Sequence, residues 1–379
     1  MALSELLLLG READLGSERG VSCTGQLPEP SDPTLVARAK AAREILGDRA
    51  LVLGHHYQRD EVIDFADITG DSFKLAQVAA QSTAEFIIFC GVHFMAESAD
   101  ILTSPHQKVI LPDLAAGCSM ADMASAPQVN ECWKVLEELG VAARTIPVTY
   151  MNSSAAIKSF TGKNGGTVCT SSNAARAMEW ALGQGEKVLF LPDQHLGRNT
   201  AVLSLGFALD ECVLWNPWKP MGGLTAQEIQ DAKIILWRGH CSVHGRFTID
   251  TVNEVRTRIP GVNVLVHPEC QYEVVSSADF VGSTEIIIRT IEAAPAGSKW
   301  AVGTELNLVQ RMAKNHPDKT VVFLDKTVCY CSTMNRIDLP HLVWVMESLV
   351  NDHMVNQIRV DNEVAKFSKI ALERMLALP

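Results

Sequence analysis

Cys329 and Cys331 stand one residue apart in "TVCYCSTMNRIDLP", residues 327–340, at what reads as the end of a buried strand near the C-terminus. A pair so placed is a disulfide, a redox couple, a metal site or two small core residues, and each reading asks for different neighbours. Geometry disfavours a strain-free bond between such near neighbours. Three further stretches carry ligand or acid–base groups: "GHHYQ" from 54, "HCSVH" from 240 and "HPEC" from 267. Histidine, cysteine and glutamate are proper zinc ligands, so a zinc-dependent hydrolase or lyase is one function class they would serve. Colourless protein with stoichiometric zinc would mark that class.

The chain holding these groups has 379 residues and a net charge of -11. Length alone suggests roughly two to three domains. Hydrophobic residues at 47% and charged residues at 20% describe a globular protein. The acidic balance and the lack of a basic patch argue against nucleic acid as a partner, because phosphate contacts need clustered Lys and Arg. Small-molecule substrates fit better. No apolar run approaches the roughly 18–20 residues of a membrane helix, and no membrane partner is expected. The start, "MALSELLLLGREADLGS", has a four-leucine run with no basic residue before it, which is not an export signal. A cytoplasmic protein is expected. Ten cysteines, at 23, 90, 118, 132, 169, 212, 241, 270, 329 and 331, are too scattered for a disulfide framework. The default for any one of them is a small buried residue.

The elements that must position these groups recur along the chain. "LVLGHHYQ" from 51, "IPVTYMNSSA" from 146 and "IILWRGHCSVH" from 234 each read as a buried parallel strand ending in polar side chains. A hydroxyl-rich turn and helix follow in "ITGDSFKLAQ" from 68, "VCTSSNAARA" from 168, and "NVLVHPECQY" leading to "DFVGSTEIII" from 279. A third strand recurs in "EFIIFCGVHFMAES", "KVLFLPDQHLGRNT" and "KWAVGTELNLVQRMA". A fourth recurs in "KVILPDLAAGCSMAD" and "TVVFLDKTVCYCSTMN", with "DECVLW" a shortened version. This repetition predicts an α/β fold of three pseudo-symmetric, doubly wound αβα units. The expected boundaries are an extension over 1–34, units over 35–128, 129–217 and 218–350, and a C-terminal helix over 351–379, with Pro- and Gly-bearing linkers between units. Ligands of such sheets sit beyond the C-terminal strand edges, so three units meeting around an axis share one central cavity.

That arrangement sorts the cysteines. Cys118, Cys241 and Cys331 each stand at a C-terminal strand edge. Cys90 and Cys169 lie inside apolar or hydroxyl runs and read as packed thiols, while Cys23, Cys132 and Cys212 have no chemical neighbours in sequence.

In order along the chain, "GHHYQ", "GDSFKLA", "PDLAAGCSMAD", "YMNSSA", "TSSNA", "WRGHCSVH", "HPE", "GSTE", "GTE" and a late cysteine followed by x-x-Met resemble the quinolinate synthases, the A-type proteins of bacterial NAD biosynthesis. The resemblance spans about residues 35 to 350. It implies three α/β units around a cavity that holds a 4Fe-4S cluster on one cysteine from each of three segments, here Cys118, Cys241 and Cys331. Three thiolates on four irons leave one iron open as a Lewis acid. Some members carry a C-x-x-C-x-x-C pattern where this chain has C-x-C, which leaves Cys329 outside the ligand set.

The reaction implied is condensation of iminoaspartate with dihydroxyacetone phosphate to quinolinate, with loss of water and phosphate. The enzyme that produces iminoaspartate is the one protein partner such chemistry suggests. By the same resemblance, His55, Tyr57 and Ser72 match positions that bind substrate carboxylates and carry protons, with Tyr57 an acid or base. Tyr150 and Asn152 match residues facing the open iron. Ser171, His267 and Thr284 match substrate contacts, the first two to phosphate. Glu269 matches a proton-shifting carboxylate, and His244, near Cys241, joins the site.

Bland readings stand beside these. A strand-end histidine taken alone is more often a hydrogen-bonded structural residue, and His56, His93 and His195 are read so. "TSSNA" reads equally as a helix N-cap, and Glu305 in "GTELNLVQRMA" as a cap or brace. A non-catalytic iron–sulfur sensor is the remaining class, but neither a basic patch nor a helix-turn-helix unit accompanies the motifs.

Overall fold

The computed structural model describes residues 27–327 and 330–378. Cys23, Cys329 and most of the expected 1–34 extension lie outside the described residues.

Among these residues the strands form three sheets. The first holds β1 (Ala50–His55), β2 (Ile68–Gly70), β3 (Phe86–Cys90) and β4 (Lys108–Ile110). The second holds β5 (Thr145–Tyr150), β6 (Thr167–Cys169), β7 (Lys187–Leu191), β8 (Cys212–Trp215) and β9 (Ile234–Trp237). The third holds β10 (Asn263–Val266), β11 (Phe280–Val281), β12 (Lys299–Gly303) and β13 (Thr320–Phe323). All their pairings are parallel. A last strand, β14 (Gln357–Ile358), joins β4 antiparallel at the edge of the first sheet.

Parallel strands need crossovers, and helices supply them on both faces. β3, "FIIFC", and β7, "KVLFL", are therefore buried along their whole length rather than alternately. The strand orders share one plan: β2-β1-β3-β4, β6-β5-β7-β9 and β11-β10-β12-β13, with β14 and β8 added at edges. The chain is thus α/β with parallel sheets, as its pattern predicts. No described helix is long and apolar enough to cross a membrane.

Two expectations about elements are corrected. Ile234–Trp237 reads in sequence as the opening strand of the third unit, but β9 pairs in register with β7 through Val188↔Ile234 and Phe190↔Leu236, so the second sheet runs past residue 217. The misleading signal is the Gly-His that ends both "LVLGH" and "LWRGH". Gly239 is glycine for a packing reason, since a Cβ there would lie 2.4 Å from the Pro192 carbonyl oxygen beyond β7. The opening strand of the third sheet is instead β10. The segment 351–379, expected as one helix, first contributes β14 and only then the helix Asn362–Ala377.

Candidate active site

Each sheet sends its strand ends to the same cavity. Beyond β1, β5 and β10 come His55 and Tyr57, Tyr150 and Asn152, and His267 and Glu269. After the second strands come Ser72, Ser171 and Thr284, at or just before the helices Ser72–Gln81, Ala174–Gln184 and Thr284–Ala293. After β4, β9 and β13 come Cys118, Cys241 and Cys331. His244 completes the wall, and Val92, Phe94, Met95 and Met120 make part of it apolar. Every site residue named from sequence therefore borders one cavity. The local reason is the strand–turn–helix handover, which Asp71 fixes by accepting the backbone N–H groups of Phe73 and Lys74.

The polar groups form a buried chain. The Tyr57 hydroxyl bonds Thr284 Oγ1 at 3.1 Å and Thr304 Oγ1 at 2.8 Å. Thr304 Oγ1 also meets His244 Nε2 at 3.2 Å, and His244 Nδ1 meets Glu269 Oε2 at 3.0 Å. The other Glu269 oxygen accepts from the Tyr150 hydroxyl. His267 stacks on His244 with ring centroids 4.5 Å apart. One backbone device repeats: Tyr57 N–H donates to His55 Nδ1 at 3.2 Å, and Glu269 N–H to His267 Nδ1 at 3.3 Å. Each ring then carries its proton on Nε2.

Burial sets the protonation states. It pushes His55 and His267 down to about 3, so both are neutral donors near neutral pH. It lifts the Tyr57 and Tyr150 phenols well above their ordinary range, with the Glu269 charge adding to the rise. Burial also raises Glu269, but the adjoining His244 and His267 rings outweigh it and hold the carboxylate below its usual range.

The three cysteines share a local structure. Each begins a Cys-Ser-x triplet followed by a single 3₁₀ turn: Ala121–Met123, His244–Arg246 and Met334–Arg336. Each cysteine carbonyl accepts from the residue four positions on, Asp122 at 3.2 Å, Gly245 at 2.9 Å and Asn335 at 3.0 Å. All three are free thiols, and burial pushes them up, Cys118 to about 12. Backbone N–H groups of the turns act on each sulfur in the opposite sense. Three thiols on one cavity, each facing amide donors, fit a group that takes thiolates and neutralises their charge.

A second donor set lies within the first. Cys241, His244 and Glu269 offer ligand atoms within 4.8 Å of one another. Both His244 nitrogens and both Glu269 oxygens already have hydrogen-bond partners, however, and a mononuclear ion there would have to displace them.

Sequence reasoning passed over Thr304, although it lies in the quoted "GTE" and links Tyr57 to His244. It also passed over the Cys-Ser-x triplet common to all three cysteines, which alone would have separated them from the other seven. Glu305 caps the helix Leu306–Asn315, one of the roles weighed for it, and also accepts the Cys331 N–H at 3.3 Å. His56 meets Glu285 at 3.0 Å, and His195 does not border the cavity.

The chain is similar to known proteins along nearly its whole length. The profile of the family described as "Quinolinate synthetase A protein" matches residues 37–377. The chain is 72% identical to the quinolinate synthase of Streptomyces coelicolor, over 99% of this chain and 96% of that protein. It is 66% identical to that of a Nocardioides species, over 99% and 97%, and 54% identical to that of Corynebacterium glutamicum, over 92% and 88%.

Proposed function

The chain belongs to the quinolinate synthetase A protein family, enzymes of NAD biosynthesis, and on that footing we propose that it condenses iminoaspartate with dihydroxyacetone phosphate to quinolinate, releasing two waters and phosphate. Three pseudo-symmetric α/β units surround the cavity in this reading, and a shared strand order in the three sheets supports it. Cys118, Cys241 and Cys331 hold a 4Fe-4S cluster. When bound, the cluster supplies a Lewis acid for substrate oxygens at its one iron without a thiolate.

The chain's own residues do the rest. Ser72, Ser171 and Thr284 stand where helix starts offer backbone N–H groups to carboxylate and phosphate. His267, neutral with its proton on Nε2, joins Ser171 on the phosphate, and His55 donates in the same way to a carboxylate. Tyr150 and Asn152 face the reacting oxygens. Glu269, flanked by His244 and Tyr150, moves protons during isomerisation and dehydration, and Tyr57 serves as acid or base beside it. Free iminoaspartate hydrolyses readily, so the enzyme that makes it is the expected partner.

The observation that carries this reading is the meeting of three free thiols and the Tyr57–Thr304–His244–Glu269–Tyr150 chain on one cavity. The test is anaerobic purification with iron, sulfide and zinc analysis, comparing wild type with Ala variants of Cys118, Cys241 and Cys331, followed by assay of quinolinate. Brown protein with about four irons, lost in each variant, is the expected result. The closeness of Cys241, His244 and Glu269 favours a second reading, a zinc enzyme; stoichiometric zinc in colourless protein would establish it.

A further inference from the structure

The cysteine of the third sheet lies against a buried carboxyl group that the reaction does not use. In the third sheet, two residues after β12, Glu305 is fully buried; its Oε2 accepts the Leu308 N–H at 3.3 Å, and its Oε1 accepts the Cys331 N–H at 3.3 Å. In the second sheet the same position after β7 is Asp193, also fully buried. Its Oδ1 accepts from His195 at 2.7 Å and Leu196 at 3.1 Å. Asp193 Oδ2 has no hydrogen-bond partner, and the tie between this turn and the Cys241 segment is the main-chain bridge of Asp193 with Gly239.

In the first sheet the corresponding residue, two after β3, is Val92, whose side chain cannot accept. There a main-chain bond reaches the cysteine segment, His93 N–H donating to Ala116 O at 2.8 Å two residues before Cys118, and Asp113 Oδ1 accepts the Ala115 N–H at 2.9 Å. The second sheet keeps that bond too, from Gln194 N–H to Gly239 O at 3.0 Å, two residues before Cys241.

An acid serving only as a helix cap is cheaper as serine or threonine on a surface, and burying one needs a reason. For Glu305 that reason is the Cys331 amide.

We infer that Glu305 is a positioning residue that fixes the backbone of Cys331, so that its thiol is held for the metal group before it binds. This rests on the reading of the three cysteines as ligands. The carboxyl touches an amide rather than substrate, and its effect passes through the sulfur it orients.

Glu305→Ser tests it, because serine still caps a helix but offers one short oxygen and leaves the Cys331 amide without an acceptor. Glu305→Gln keeps an acceptor. Two readouts are taken: amide hydrogen exchange in metal-free protein over residues 240–246 and 330–336, and the rate at which a chelator strips iron from anaerobically reconstituted protein. Losing the hydrogen bond should speed exchange about tenfold over residues 330–336 only, with residues 118–123 and 240–246 unchanged. Iron release should quicken in parallel, and Glu305→Gln should return both readouts to wild type. Unchanged exchange in Glu305→Ser overturns the inference, as does failure of Glu305→Gln to rescue. Should Glu305→Ser not fold, raised exchange in Glu305→Gln overturns it and wild-type exchange upholds it. Wild type that binds no iron through its three cysteines defeats the cluster reading instead, and the exchange arm still decides the positioning role.

Discussion

The Tyr150 hydroxyl donates to Glu269 Oε1 at 2.5 Å, a contact short even for an O–H to carboxylate bond. With His244 on the other oxygen, Glu269 has a phenol and an imidazole as its nearest proton partners. The phenol stays protonated, since burial and the Glu269 charge both raise it. Glu269 is the member that carries negative charge, since the adjoining His244 and His267 rings hold its carboxyl below the usual range. Glu269→Gln keeps the shape and removes the charge, and should lower kcat by about 10²- to 10⁴-fold, the span of a lost general acid–base group. Iron content should stay at the wild-type level. Measuring both in one preparation separates loss of chemistry from loss of metal.

Thr304 ties Tyr57 to His244 through a single hydroxyl. Thr304→Val is nearly isosteric, fills the same space and leaves two buried partners short of a bond. About 1–3 kcal/mol of stability should be lost in denaturant titration. Turnover should fall, because neither ring retains the orientation that the hydroxyl sets. Tyr57→Phe should abolish turnover more fully while costing less stability, since Thr304 keeps His244 Nε2 as a partner when the phenol is gone. The reverse ranking of the two variants in kcat would remove Tyr57 from the acid–base set.

Residue types and order were enough to place His55, Glu269 and the three cysteines together, because a parallel sheet delivers whatever follows its strands to one edge. What they could not provide was sheet membership. A short apolar run leading to Gly-His fits equally well as β1 or β9, and only hydrogen-bond register puts Ile234–Trp237 beside β7. Thr304 escaped for a related reason: a threonine at a strand end is ordinary until tertiary structure supplies a tyrosine on one side and a histidine on the other. The two-residue strand β14 was hidden because its length is too short for any alternation to register.

The C-terminal helix Asn362–Ala377 lies tightly on the helix Ala155–Lys163. Ser368 Oγ donates to Ala155 O at 2.7 Å, and a Cβ on Gly162 would stand 2.0 Å from the Phe367 carbonyl oxygen. Backbone cannot yield at that distance, so Gly162→Ala must separate the helices. A cost of about 1–3 kcal/mol is expected from such overpacking. It should appear as a lowered denaturation midpoint, with iron content unchanged, because the contact is remote from the cavity.

Lys158 gives the pH dependence. Its ammonium is fully buried under the turn that carries Asn152, donates to the carbonyls of Met151 and Ser153, and lies 5.4 Å from the Phe94 ring centroid. Burial pushes it down from 10.5 to about 8, against the opposing pull of Glu97 and Cys118. Below about 8 the lysine is charged in both folded and unfolded chains, and the full cost of burying that charge is present. Between about 8 and 10.5 the unfolded chain binds the extra proton, so stability rises with pH through that window. The total gain is about 3 kcal/mol. Lys158→Met has no such proton. In metal-free protein the stability of wild type relative to Lys158→Met should therefore climb across the window, although each chain's own curve also carries the cysteines that titrate there. Denaturant titrations of both chains at four or five pH values check this, and parallel curves would mean that Lys158 keeps an ordinary pKa in the folded protein.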